Sequence, residues 1–246
     1  MAEILPLLQT SHLTMRFGGV VANDDVNFTL EEMELRCLIG PNGAGKSTFF
    51  KMLTGQLTPS EGTIRFRENP IAGNLPHQIA RLGIGIKTQI PNVFNGLSVR
   101  ENVWLAARRA ARRDASAKRA AEIVDEVLQR IVLTDLADAV VGQLSHGQRQ
   151  WVEIGTVLAA EPELILLDEP AAGMTDEETV RTAEIIAEIN KTRALIVVEH
   201  DMEFIRMIAK KVTVFHQGRI MMEDTVEAVL ADSRVRDVYL GKKVAA

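Results

Sequence analysis

Residues Gly40, Pro41, Asn42, Gly43, Ala44, Gly45, Lys46, Ser47 and Thr48 satisfy the spacing G-x-x-x-x-G-K-[ST]. Glycines let a backbone wrap so that successive N–H groups face phosphate oxygens, and a helix N-terminus behind them adds a fixed positive partial charge. The run has that context: the apolar stretch 36–39 reads as a strand before it, and 48–53 as a helix after it. Lys46 is then placed to reach the β and γ phosphates of a nucleotide, and Ser47 to ligate magnesium. A second constellation follows at 164–169, where an apolar strand ends in Asp168 and Glu169. In open α/β folds ligands bind at that carboxyl edge. Asp168 suits magnesium, held through water, while Glu169 points the other way and can polarise an attacking water as general base.

The elements that must position these groups are legible in the periodicity. Stretches 8–17 and 25–30 alternate at about period two and read as strands, as does 63–66 after the turn Glu61-Gly62. Asn69-Pro70 followed by Gly73 marks a surface loop. From Ser98 the composition changes to Ala, Arg, Glu, Val and Leu, with no Gly or Pro through 130, and Ser98 and Glu101 have capping-box spacing. A helical insertion starts there. Its basic residues Arg108, Arg109, Arg112, Arg113, Lys118 and Arg119 read as a solvated face. Ser145 and Gln148 again have capping-box spacing ahead of the apolar run 151–158. The last third alternates: strand 164–167, helix 177–190, strand 195–198, helix 203–210, strand 212–215. That alternation predicts a parallel sheet. A hairpin at Gln217-Gly218 and a short helix at 226–230 close the chain.

The chain has 246 residues, 46% of them apolar, enough for one sizeable core and a smaller lobe. Its 28 basic and 33 acidic residues leave a net charge of −5, so no bulk positive field draws nucleic acid or anionic lipid. One cysteine, Cys37, excludes an intrachain disulfide and suggests a reducing compartment. The longest apolar runs fall far short of the roughly 18 residues of a membrane span, and residues 1–6 carry no basic segment of a secretory signal. A soluble, cytoplasmic chain is expected.

Leu144-Ser145-His146-Gly147-Gln148 resembles the signature motif L-S-G-G-Q of ABC-type ATPases, with His146 in place of the first glycine. The bulkier side chain there either adds a donor near a phosphate or is merely tolerated. Other segments resemble the same family in its order along nearly the whole chain. Lys87-Thr-Gln89 is similar to the Q-loop, where Gln89 would sense magnesium or the attacking water. Val198-Glu-His200-Asp is similar to the switch region, placing His200 near the γ-phosphate. Phe17, ahead of Gly18-Gly19, matches the aromatic that stacks on adenine. The family's S-A-L-D segment is replaced by Ala172-Gly-Met-Thr175; the usual aspartate is missing, and Thr175 and Glu178 have capping-box spacing instead. Phe17-Gly-Gly, the runs 144–151, 172–175 and 198–202, and the ending 238–241 resemble the branched-chain amino-acid import group. Within it they are most similar to the urea and short-chain amide subunits.

The resemblance implies a P-loop ATPase core with a mostly parallel sheet, an N-terminal antiparallel β subdomain and an inserted helical subdomain. Residues 1–90 and 160–246 would form the core and 91–159 the helical part of a single domain. It implies ATP and Mg2+ as ligands, with Ser47, Gln89 and Asp168 on the metal and Lys46, Gln89, Glu169 and His200 in catalysis. Phe17, the loop 40–48, and Ser145, His146, Gly147 and Gln148 would hold nucleotide, the last four belonging to one subunit and covering the ATP of another. Expected partners are a second ATPase subunit, identical or sister, two membrane permeases and, indirectly, a periplasmic solute-binding protein, with no nucleic acid. The chain would sit at the inner face of the cell membrane. Two rival readings fit the sequence less well. In a guanine-nucleotide switch, Arg193 of Asn190-Lys-Thr-Arg193 occupies the place where a carboxylate must accept the base. Soluble ABC-type proteins of ribosomes or DNA usually carry two such units or long coiled arms.

Overall fold

The computed structural model describes residues 5–88, 92–111 and 117–240. Gln89, Arg112, Arg113 and Gly241 therefore lie outside the described residues. The chain forms two compact units, one built from its beginning and end and the other from residues 83–193.

The first unit opens with β1 (Leu8–Phe17), β2 (Val20–Leu30), β3 (Leu35–Ile39), α1 (Lys46–Leu53), β4 (Glu61–Phe66), β5 (Asn69–Pro70) and α2 (Pro76–Leu82). The second contains β6 (Ile84–Lys87), α3 (Val99–Ala111), α4 (Ala117–Arg130), α5 (His146–Leu158), β7 (Leu164–Asp168) and α6 (Asp176–Asn190). The first unit resumes with β8 (Ala194–Val198), α7 (Met202–Ile208), β9 (Lys211–His216), β10 (Arg219–Thr225), α8 (Val226–Ala231) and α9 (Ser233–Leu240).

In the first unit β2-β1-β4-β5 form an antiparallel sheet. β3 runs parallel between β8 and β9, with β10 antiparallel on the outer side of β9. All five residues of β3 and of β8 are buried, the continuous apolar pattern of strands covered on both faces. Phe49 of α1 joins the layers, its ring 5.5 Å from Phe28 of β2 and 5.4 Å from Phe215 of β9. Arg36 is buried among them, donating to Thr213 Oγ1 at 2.9 Å and paired with Glu34 and Glu223, so its charge is matched where it is desolvated.

In the second unit β6 and β7 pair in parallel. α4 buries Ala120, Ile123, Val124, Val127 and Leu128, a helical stripe at spacings of three and four. The capping box at Ser98 is formed: Glu101 Oε2 accepts the Ser98 N–H at 2.7 Å, and Ser98 Oγ accepts the Glu101 N–H at 3.2 Å. Buried Asn102 then clips the preceding loop to α3, accepting from Phe94 N–H at 2.8 Å and donating to its carbonyl at 3.1 Å. On the basic face, the Arg108 guanidinium lies 5.0 Å over the Trp104 ring and Arg119 pairs with Glu161 at 2.6 Å.

Several boundaries differ from the sequence reading; β4, for one, begins at Glu61, so the expected turn Glu61-Gly62 is already strand. β2 begins at Val20 rather than 25, and Asn69-Pro70 adds a short strand to β4 instead of lying wholly in a loop. α7 stops at Ile208 rather than 210, because Ala209 is already extended (φ −96°, ψ 139°) for entry into β9.

Cys37, in the middle of β3, is fully buried, and that burial, with the Glu199 carboxylate nearby, pushes its thiol far above the usual range. The native protein should leave a thiol reagent unreacted at about pH 8, where an exposed cysteine is partly thiolate. Denaturation should release one reactive thiol per chain. Rapid native labelling, followed by absorbance, would contradict this packing.

Candidate functional site

β3 ends at Ile39 and β8 at Val198, in register as Leu38 against Val198, so the segments leaving both strands emerge at one sheet edge. From β3 the chain turns through 40–45 into α1. Gly40 has φ 148°, and a Cβ there would stand 2.2 Å from the Phe215 carbonyl oxygen of β9. Gly45, φ 105°, would meet the Ala22 carbonyl at 2.6 Å and Asn23 Nδ2 at 2.8 Å. Only glycine meets both demands, and the loop is thereby pressed onto β2 and β9. The β9–β10 turn grips it as well, through Gly218 N–H to Ala44 O at 3.0 Å, and is itself tied to β2 by Asp24 N–H to Gly218 O at 2.9 Å. Arg219 fixes that turn with two bonds to Asp24 Oδ2 at 3.0 and 2.6 Å.

Gly45 is the N-cap of α1 and has no side chain to cap it, leaving the first-turn amides to an outside acceptor. Lys46 Nζ donates to Gly40 O at 2.6 Å and Pro41 O at 3.1 Å, folding its ammonium over the loop. A Cβ at Gly43 would meet nothing within 4 Å, so the rim of the loop is open. Cation, amides and open rim suit a phosphate chain.

At the end of β8, His200 is exposed and its Nδ1 lies 3.7 Å from Glu199 Oε2. Buried Glu199 accepts the His200 N–H at 2.9 Å, which fixes the backbone beneath the imidazole. Asp201 caps α7, accepting from Glu203 N–H at 2.8 Å. Phe17 is 47% exposed at the tip of the β1–β2 hairpin, its ring available to a flat partner. The first unit thus carries the loop, His200 and Phe17.

The second unit carries the other candidates. Asp168 ends β7, and Glu169 leaves the strand with a left-handed backbone, φ 44°. Lys87, at the matching end of β6, is buried and donates to the Thr88 carbonyl at 3.1 Å and the Asp168 carbonyl at 3.3 Å. Ser145 caps α5: its Oγ accepts the Gln148 N–H at 3.1 Å and Gln148 Oε1 accepts the Ser145 N–H at 3.0 Å. His146 Nε2 lies 3.1 Å from the Ala172 carbonyl oxygen and 3.3 Å from the Gln150 side-chain nitrogen Nε2. The His146 ring is therefore seated against the segment 172–175. The two departures from the signature and S-A-L-D patterns touch each other. Thr175 and Glu178 form the expected capping box on α6.

The family described as "ABC transporter" matches residues 23–172. The chain is 35% identical to the high-affinity branched-chain amino acid transport ATP-binding protein LivG of Salmonella typhimurium, over 96% of this chain and 98% of that one. It is 34% identical to BraF of Pseudomonas aeruginosa, a protein of the same description, over 96% and 98%. The chain belongs to the ABC transporter family. As a member of it, the protein is an ATPase whose hydrolysis is coupled to transport. The solved structure of cbiO1 from Clostridium perfringens, part of the ABC transporter complex cbiONQ, gives TM-score 0.85 at 29% identity, covering 97% of this chain and 96% of that one. A nucleotide-free ATP-binding cassette from an ABC transporter gives TM-score 0.84 at 26% identity, covering 97% and 100%. No helix among the described residues is long and apolar enough to cross a membrane.

One residue of this ABC ATPase was missed by sequence reading. Glu153, buried in α5, accepts the Asn92 N–H at 3.0 Å and is bonded to Thr88, so it ties α5 to residues on both sides of Gln89. A glutamate inside the apolar run 151–158 was the available signal. Burial raises its carboxyl above the ordinary range, and the Asn92 amide and Lys87 only partly offset this. A raised folded pKa means the folded state binds the proton more tightly, so stability falls as pH climbs past the normal glutamate range. Glu153→Gln keeps an acceptor for Asn92 and removes that loss. It should melt a few degrees above the parent at neutral pH and converge with it near about pH 4; an equal or lower melting temperature at neutral pH would contradict the burial argument.

Proposed function

We propose that this chain is the ATP-hydrolysing subunit of an importer for a small polar solute, urea or a short-chain amide. The observation that supports the catalytic part is the phosphate loop at the edge of β3, with His200 leaving the neighbouring strand. In this reading the loop amides of Gly40, Asn42, Gly43, Gly45 and Thr48 hold phosphate oxygens, Pro41, which has no N–H, shapes the turn by accepting the Ala44 N–H at 3.2 Å, and Lys46 neutralises the β and γ phosphates. Phe17 stacks on the adenine ring. Among the described residues no group of three or more His, Cys, Asp or Glu is placed to hold a metal alone, so an ion here would need phosphate oxygens to complete its shell. Ser47, Asp168 and Gln89 would be its protein ligands. Magnesium, when bound, neutralises charge developing on the transferred phosphoryl group. Glu169 orients and deprotonates the attacking water, and His200 donates to the γ-phosphate.

Ser145, His146, Gly147 and Gln148 of one subunit cover the nucleotide of a second ATPase subunit, so that ATP closes the pair and hydrolysis reopens it. The helical part, 91–159, passes this movement to two membrane permeases that hold the subunit at the inner face of the membrane. A periplasmic binding protein delivers the solute from the other side. The choice of urea or amide rests on the resemblance of the segments at 17–19, 144–151, 172–175, 198–202 and 238–241. Branched-chain amino-acid import is the second reading, favoured by the full-length similarity to LivG and BraF.

The test is ATP-driven uptake by the transporter isolated with this subunit and reconstituted in vesicles with its binding protein. Labelled urea or acetamide should enter and leucine should not. Glu169→Gln should slow the coupled hydrolysis by roughly 10²- to 10⁴-fold while ATP still binds, as loss of a general base requires. Leucine uptake without urea uptake would replace the proposed solute, and full hydrolysis by Glu169→Gln would overturn the catalytic assignment.

A further inference from the structure

The Ser145 hydroxyl does more than cap α5. It donates to Glu178 Oε1 at 2.7 Å, while Glu178 Oε2 accepts the Thr175 N–H at 3.2 Å. The same carboxylate lies directly over Gly147, where a Cβ would stand only 2.5 Å from Glu178 Cδ. A carboxylate is thus seated on the first turn of α5, the end of a helix whose free amides and dipole favour an anion. The Ser145 hydroxyl, with Thr175 and the His146 ring adding to it, holds the Glu178 carboxyl below the usual range, so the group is ionised at neutral pH. The rest of the neighbourhood is tied down: His146 bonds the Ala172 carbonyl, and Trp151 Nε1 donates to Thr182 Oγ1 at 2.8 Å, one helical turn beyond Glu178.

We propose that Glu178 is a positioning residue acting as a tethered anion, which holds the signature serine and competes with the nucleotide phosphate that a second ATPase subunit presents to this end of α5. The proposal rests on the assignment of Ser145 to that partner's nucleotide. A serine hydroxyl has one proton to donate, so it serves the carboxylate or the phosphate but not both. Two negative charges at one helix end also repel. Closure of the pair must therefore exchange one acceptor for the other, and Glu178 sets the ATP concentration at which this happens. Its bond to Thr175 is made by the other oxygen, so the cap of α6 survives the exchange.

Glu178→Gln separates the charge from the cap, because the amide oxygen still accepts the Thr175 N–H. In the transporter isolated through a tag on this chain, this variant should lower the KM for ATP by about three- to tenfold, the scale of a like-charge contact at an exposed site. The melting temperature should fall by no more than a few degrees, because the ionised carboxylate is favoured in the folded state but largely exposed. Ser145→Ala, measured alongside, should raise KM. An unchanged KM in Glu178→Gln with an impaired Ser145→Ala overturns the tethered-anion role and leaves the serine assignment standing. Parent-like kinetics in Ser145→Ala overturn the assignment and the proposal together. A raised KM in Glu178→Gln makes the residue a support of the serine and the helix cap only and also overturns the proposal.

Discussion

Everything in the first unit answers to one constraint: a short backbone segment must hold its own amides open toward an anion while its cation is kept at hand. Side-chain charge alone would not do this, since a lysine on a flexible stem is a point charge without direction. The loop from Gly40 to Gly45 solves the problem by being pressed into shape from outside. The Phe215 carbonyl excludes any side chain at position 40, and Ala22 and Asn23 exclude one at position 45. The parallel strands β3, β8 and β9 supply rigid ends, and the β9–β10 turn adds a hydrogen bond to Ala44. Lys46 then folds back on the loop's own carbonyls, so its charge is directed before any phosphate is bound. Preorganisation of this kind lowers the ordering cost of binding.

The second unit is organised around the start of α5. Ser145, His146 and Gly147 each meet the segment 172–178, through the Glu178 carboxylate or the Ala172 carbonyl. The replacement of a glycine by His146 and the loss of the aspartate at position 175 thus belong to one contact surface. The histidine ring lies against a carbonyl of that segment, and the Thr175 hydroxyl caps α6 by accepting the Glu178 N–H. Glu153 lies two turns further along the same helix and fixes Asn92. One helix therefore bears both the signature residues at its start and an anchor for the chain on either side of Gln89.

How much of this the sequence discloses follows from the range of each interaction. The capping boxes at Ser98, Ser145 and Thr175 close within three residues and are fully legible. So are the phosphate loop, whose glycines announce the backbone conformation, and β7, whose apolar run ends in Asp168. β2 was read short because Val20 and Val21 at its start are exposed and break the alternation. The seven-residue α2 and four-residue β6 are too brief to establish a period. The partners of Glu153 and Glu178 are hidden for a different reason. They lie 61 and 33 residues away, and no local pattern records a contact made only by folding.

The central claim is that Lys46 and the loop that shapes it form the nucleotide site. Its most direct test is calorimetric titration of Mg-ATP into Lys46→Ala, with the melting temperature as a check on folding. Loss of charge-assisted bonds to two phosphates predicts binding at least about 100-fold weaker than the parent. A folded Lys46→Ala that binds Mg-ATP with the parent's affinity would contradict the account.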